Sequence, residues 1–296
     1  MSPSPEVRDR RAEGLLLFVV AIWAANYPLA KYGISGMNIL VFNGIRYVIA
    51  GLILVSAIFV QSRWVPIQRA DLLSMMQAGV IANVIYQVAF IIGLSMTTAG
   101  NSAIVLATSP LWTLYLSSRM HHERVHREVW LGMVISLAGI VLITLGSEKG
   151  VEVGGATILG DLICLGAAFL WAFSTNLQKP LLVRNSPQQV SLVMVGVGSL
   201  GLTLIAVPDA IAMSWGSVPW TYYAAAVLSG AASIGIGNLI WSYGVQRLGP
   251  GRTGAFGNFT PALALGFSYV MLHEELSSVQ LLGAAVTLVG IWYARR

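Results

Sequence analysis

Apolar residues fill this chain in ten long stretches, separated by short polar or turn-rich breaks such as GISG, SEKGVEVGG and GPGRTG. A helix needs about 20 predominantly apolar residues to cross a bilayer. Stretches of that kind lie near residues 14–32, 37–60, 72–95, 98–118, 128–146, 156–178, 188–207, 219–246, 252–272 and 277–294. The pattern predicts an all-α membrane protein of about ten transmembrane helices. The opening VRDRRAEGLLLFVVAIWAAN has the basic start and short oily core of a secretory leader. Further apolar segments follow it and its pattern recurs later, so it reads as a retained first span behind a tail at residues 1–13.

The basic residues orient this ladder. With the tail in the cytoplasm, fourteen of the 17 Lys and Arg residues fall on the inner side, from Arg8 and Arg63 to Lys179, Arg247 and Arg296. Lys31 and Lys149 fall outside, and Arg46 lies within a span. Changing the helix count by one would scramble that division, so the positive-inside rule supports both the count and cytoplasmic termini.

A second periodicity runs through the first. Trp23 and Trp171 are 148 residues apart (171 − 23), as are Lys31 and Lys179. An offset of 151 aligns Gly93 with Gly244, Gly100 with Gly251, Pro110 with Pro261, Glu123 with Glu274, Gly132 with Gly283 and Gly139 with Gly290. The chain therefore reads as a duplicated five-helix unit, over 14–147 and 156–294. Five is odd, so the second copy enters the membrane from the opposite side. Such inverted repeats are a recurrent design of secondary transporters, with the substrate at the repeat interface near midplane.

Composition narrows the class further. Only 10% of residues are charged, 56% are hydrophobic, and mean hydropathy is +0.74, whereas a soluble domain carries about 25% charged residues. The isoelectric point near 9.5 does not signal nucleic-acid binding, because the Arg residues are scattered with no basic face interleaved with aromatics. Cys164, the single cysteine, has no partner in the chain.

Polar groups inside spans face the bundle interior or a cavity, because lipid cannot hydrogen-bond them. Helix 1 places Trp23, Asn26 and Tyr27 on one face, and helix 6 does the same with Trp171, Ser174, Thr175 and Gln178. Helix 3 offers Asn83, Tyr86, Gln87 and Phe90; its counterpart, helix 8, offers Asn238 and Trp241. These side chains are either interhelical glue or the lining of a central cavity, and their aromatic richness favours a cavity for an organic solute with a ring or alkyl part. In helix 2, Arg46 lies nine residues past Met37, roughly 13 Å deep, and a charge there costs at least about 2.5 kcal/mol on insertion scales. Asn43 and Tyr47 share its face. Two roles compete for Arg46: an ion pair with Asp161, or reception of a substrate carboxylate by its planar fork.

The order of WAANYPLAK in helix 1, Arg46-Tyr47 in helix 2, Pro110 in helix 4 and Glu123 after it, largely repeated in the second half, resembles the drug/metabolite transporter superfamily and, within it, the ten-helix EamA branch. The closer likeness is to YddG-like exporters of aromatic amino acids. The resemblance implies a metabolite exporter of a bacterial-type inner membrane, working by alternating access on a small-molecule substrate, with no cofactor or metal. A drug cation is an alternative cargo and an intramembrane enzyme a rival class; a homodimer has no sequence support. Pro110 and Pro261, with Gly100 and Gly251 ten residues earlier, are candidate hinges. Because the His residues sit at helix ends and only Asp161 among the acids lies within a span, the substrate gradient is the expected driving force.

Two motifs mislead. His122-Glu123-Arg124-Val125-His126 spells the zinc-protease pattern, yet it occupies a turn, and the other copy has Ser277 where the second His would align. Residues 249–254, GPGRTG, spell a dinucleotide fingerprint but follow a helix rather than a strand.

Overall fold

The computed structural model describes residues 9–61, 66–96, 105–123, 125–146, 155–272 and 276–294. Among them the chain is helical with short connections and no strands. Helix α1 is Arg10–Ser35 and α2 is Ile39–Gln61. Helix α3 runs as Arg69–Gly79, a π-helical turn Val80–Ile85, and Tyr86–Met96. Helices α4 to α7 are Ser109–Met120, Arg127–Leu145, Gly155–Arg184 and Pro187–Ala212. Helix α8 repeats the plan of α3, with Trp220–Ser229, a π-helical turn Gly230–Ile236, and Gly237–Leu248. Helix α9 is Pro250–Ala255, a 3-10 turn Phe256–Asn258, and Phe259–Leu272; α10 is Ser278–Ala294.

Among the described residues, seven helices are long and apolar enough to cross a membrane: α1, α2, α3, α5, α6, α7 and α8. Their outward faces are oily, with Ile211 and Val183 more than four-fifths exposed. A water-facing surface would not carry so many unpartnered apolar side chains, so the chain is a multi-pass membrane protein. Local signals set the helix ends. Asp9 accepts from the Ala12 backbone at the start of α1, and Ser186 with Gln189 forms a capping box at the start of α7.

The two halves interleave. Helix α1 packs on α8 and α9, α6 packs on α3 and α4, and α2 pairs with α7. Helices α5 and α10 lie closest together. A Cβ built on Gly132 would stand 2.5 Å from the Gly290 carbonyl oxygen, and one on Gly139 would stand 2.5 Å from the Thr287 nitrogen. Contacts that rise along α5 as they fall along α10 make the pair antiparallel. Applying the 151-residue offset exchanges Gly132 with Gly283 and Gly290 with Gly139, so the interface maps onto itself. Self-complementarity of this kind is the mark of a two-fold relation. Its axis passes between the two helices, perpendicular to both, so where they span a membrane it lies in the membrane plane.

The π-helical turns obey the same offset: Gly79 precedes one and Gly230 opens the other (79 + 151 = 230). The breaks before the prolines fall close to counterpart positions, 107–108 mapping to 258–259 (107 + 151 = 258). Residues 107–108 form a turn just ahead of Pro110, and the 3-10 turn Phe256–Asn258 comes just ahead of Pro261. A proline lacks the N–H and crowds the carbonyl four residues back, which explains why each helix restarts there. Gly100 lies outside the described residues.

Candidate functional site in the bundle interior

The interior site has an aromatic part and a polar part. Trp23 of α1, Trp171 of α6 and Trp241 of α8 close on one another, with ring centroids 5.0 Å (Trp23–Trp241), 5.9 Å (Trp23–Trp171) and 6.0 Å (Trp171–Trp241) apart. Tyr86 of α3 extends the cluster, 5.4 Å from Trp171 and 6.3 Å from Phe90. Two indole N–H groups fix their rings: Trp23 Nε1 donates to the Ser233 carbonyl at 2.9 Å, and Trp241 Nε1 to Thr175 Oγ1 at 3.4 Å. Ser233 lies in the π-helical turn of α8. A π-helical turn shifts the backbone register, which lets a main-chain oxygen serve a side chain from another helix.

The polar part is built on α2. Arg46 Nη1 donates to Asn43 Oδ1 at 2.7 Å, Nη2 reaches Ser233 Oγ at 3.5 Å, and the guanidinium carbon lies 5.5 Å from the Phe42 ring centroid. Its Nε is buried and finds no hydrogen-bond partner. No carboxylate pairs with Arg46 among the described residues. The Arg46–Asp161 ion pair is not formed: Asp161 lines a separate crevice of about 240 Å³ with Val105, Thr108, Ile158, Leu162 and Leu165.

Tyr47, the next residue, turns to the other repeat's counterpart of that turn. Its hydroxyl donates to Asn83 Oδ1 at 3.2 Å and accepts from Gln87 Nε2 at 3.0 Å, while Asn83 Nδ2 donates to the Met194 carbonyl at 2.9 Å. Adjacent residues of α2 thus engage both π-helical turns, Arg46 through Ser233 and Tyr47 through Asn83. Close packing holds this arrangement. A Cβ on Gly230 would collide with the Arg46 carbonyl oxygen and stand 2.8 Å from Arg46 Cα, and one on Gly198 would meet Asn83 Cβ at 2.5 Å.

Most residues singled out in the sequence meet here: Trp23, Asn43, Arg46, Tyr47, Asn83, Tyr86, Gln87, Trp171, Thr175 and Trp241. Asn26 joins from α1, accepting from Ser229 Oγ at 2.5 Å. The Asn238 amide donates to the Ile234 carbonyl of its own helix at 2.8 Å. The Tyr27 side chain lies outside the described residues. Sequence reasoning missed Ser229, Ser233 and Phe42. The run SGAASIG at 229–235 carried the signal for the two serines, which are four apart and share a face.

The zinc-protease spelling is a false match. His122 and His126 are exposed, and Glu123 is bound to Lys179 at 2.6 Å. The spelling at 249–254 is Gly249, at φ 80° between α8 and α9, followed by the first helical residues of α9.

The signature of the EamA-like transporter family matches residues 10–145 and 158–296. The chain belongs to the EamA-like transporter family. Several curated relatives are similar along most of their length. An uncharacterized transporter, YoaV, of Bacillus subtilis is 24% identical, covering 94% of each chain. A probable amino-acid metabolite efflux pump of Escherichia coli is 26% identical over 95% of this chain and 94% of that one. A probable terminal-alkyne amino-acid exporter of Streptantibioticus cattleyicolor is 24% identical over 97% and 94%. A crystal structure with 17% identity superposes at a TM-score of 0.80 over 97% of both chains, a likeness of fold. The family and its transporter-named members point to a transporter of small molecules rather than an enzyme.

Proposed function

We propose that this protein exports small amphiphilic metabolites, chiefly amino acids including aromatic ones, by alternating access about the interior site. The observation that carries this reading is Arg46. A guanidinium with a buried, unpartnered Nε, and with no ion pair to a carboxylate among the described residues, stands one residue, Ser233, from an indole of a three-tryptophan cluster. A buried donor without a partner costs free energy that an incoming acceptor would recover. A carboxylate presents two oxygens to the planar fork, and the adjoining rings offer an apolar surface to a ring or alkyl side chain. The names of the Escherichia coli and Streptantibioticus cattleyicolor relatives, both concerned with amino acids, agree with that chemistry.

In this reading the chain crosses the inner membrane ten times, as repeats over 14–147 and 156–294, with both termini in the cytoplasm. The substrate gradient drives export. Counterflow in proteoliposomes tests it: vesicles preloaded with an unlabelled aromatic amino acid should transiently accumulate the labelled form above the protein-free level. Accumulation of labelled amphiphilic cations, with none of any amino acid, would replace the amino-acid reading with a drug-cation one.

A further inference from the structure

We propose that the Glu123–Lys179 ion pair is a latch that holds the arginine-rich end of the bundle shut and must part before that end can open. The inference rests on the alternating-access reading above. Glu123 stands in the turn between α4 and α5, in the first repeat. Its Oε1 accepts from Lys179 Nζ at 2.6 Å, on α6 of the second repeat, and its Oε2 accepts from the Ser117 hydroxyl near the end of α4. The same carboxylate lies against the start of α9. A Cβ on Gly251 would stand 2.9 Å from Oε2, and one on Gly249 would collide with Oε1. One carboxylate therefore joins α4 to two helices of the opposite repeat.

The seam beneath it is tight. A Cβ on Gly254 would lie 2.8 Å from the Thr113 methyl, and Asn176 Nδ2 of α6 donates to the Thr113 carbonyl at 3.2 Å. Relative movement of the two repeats at this end has to separate these elements.

Exposure distinguishes a latch from a brace. The Lys179 and Glu123 side chains are 32% and 21% exposed, so water reaches both charges and takes them over when the contact parts. Net strength at such a site is small, which makes opening reversible. Arg184 and Asp71 form the contrasting pair. The Asp71 side chain is only 3% exposed and also accepts from Asn185 at 3.0 Å. Separating it would strand a buried carboxylate, so that pair fixes α3 to α6.

The test reads opening without any substrate. In a Cys164→Ser background, Thr113→Cys places a thiol at a position 1% exposed, one helical turn inside Ser117. A membrane-impermeant maleimide is applied to the arginine-rich end in reconstituted vesicles. Glu123→Gln and Lys179→Gln should each raise the labelling rate about three- to tenfold by shifting the population toward the open form. The double variant should label no faster than the faster single, because both changes remove one contact. Arg119→Gln removes an exposed charge of α4 at the same end and should leave the rate unchanged. If one single variant fails to fold, the other still removes the contact. Wild-type labelling rates in the folded variants would overturn the latch even where amino-acid exchange proceeds. Faster labelling without exchange of any amino acid would keep the latch and overturn the substrate reading.

Discussion

Ser136 and Thr287 stand 151 residues apart and hydrogen-bond to each other's backbone, Ser136 Oγ to the Thr287 carbonyl at 3.3 Å and Thr287 Oγ1 to the Ser136 carbonyl at 3.5 Å. The separation equals the repeat offset read from the sequence, so each residue is the other's counterpart. Two equivalent residues meet reciprocally only beside a two-fold axis. The contact between α5 and α10 is therefore the fixed centre about which the two repeats are arranged. Its small residues serve that role, since without a hydrophobic drive between helices in lipid, close backbone approach supplies the packing.

The seam predicts its own sensitivity. Gly139→Ala adds one methyl where the Thr287 nitrogen would be 2.5 Å away, and overpacking of that kind costs about 1–3 kcal/mol. Thermal unfolding in detergent should show a lowered midpoint for Gly139→Ala and none for Gly166→Ala, whose added Cβ meets nothing within 4 Å. Equal midpoints for both variants would show that the seam tolerates expansion.

The breaks ahead of Pro110 and Pro261 occur close to counterpart positions in α4 and α9. If they are hinges, Pro110→Ala and Pro261→Ala will straighten helices that must flex. Counterflow should then slow, while the half-saturating concentration stays within about twofold of wild type, since a conformational step rather than binding is changed. Unchanged rates in both variants would leave the prolines as features of packing alone.

His121 gives a pH signature. Burial pushes its imidazole below the ordinary value, and the bond from Nε2 to the Asn176 carbonyl opposes that only in part. The folded protein thus binds a proton on His121 less readily than the unfolded chain. The resulting stability is full above the unfolded value of 6.5 and is lost as pH falls through the lower folded value. Unfolding midpoints should drop between neutral and mildly acidic pH, and His121→Gln should flatten that slope. An identical slope in the variant would assign the acid sensitivity to other groups.

Helix positions and the duplication were legible because apolar length and side-chain repetition are properties of the chain alone. The expected stretches 72–95 and 219–246 coincide with α3 and α8, and Trp23 and Trp171, aligned in the repeat, stand with ring centroids 5.9 Å apart. The π-helical turns were not legible. Each winds the helix more widely than a 3.6-residue face assumes, so positions beyond it are rotated relative to the expectation. Asn238, aligned with Gln87 by the offset, donates to the Ile234 carbonyl of its own helix. The Arg46–Asp161 pair failed for a different cause. Depth along a span can be counted from sequence, but lateral separation between helices cannot, and Asp161 lies in a different crevice.

That separation yields a prediction about charge. Because Arg46 donates to Asn43 and Ser233 and forms no ion pair with Asp161, Asp161→Asn should leave amino-acid counterflow near the wild-type rate. A loss as deep as that of an Arg46 variant would mean that the two residues act together in another state of the transport cycle.

The claim that Arg46 receives the substrate's carboxylate is tested most directly by counterflow of an aromatic amino acid and of its decarboxylated amine through Arg46→Lys. Lysine keeps the charge and loses the fork. The amino-acid rate should fall at least about tenfold, the loss of one two-pronged charged contact, while the amine changes far less. Equal loss for both compounds in a correctly folded variant would contradict the account and leave Arg46 a structural residue.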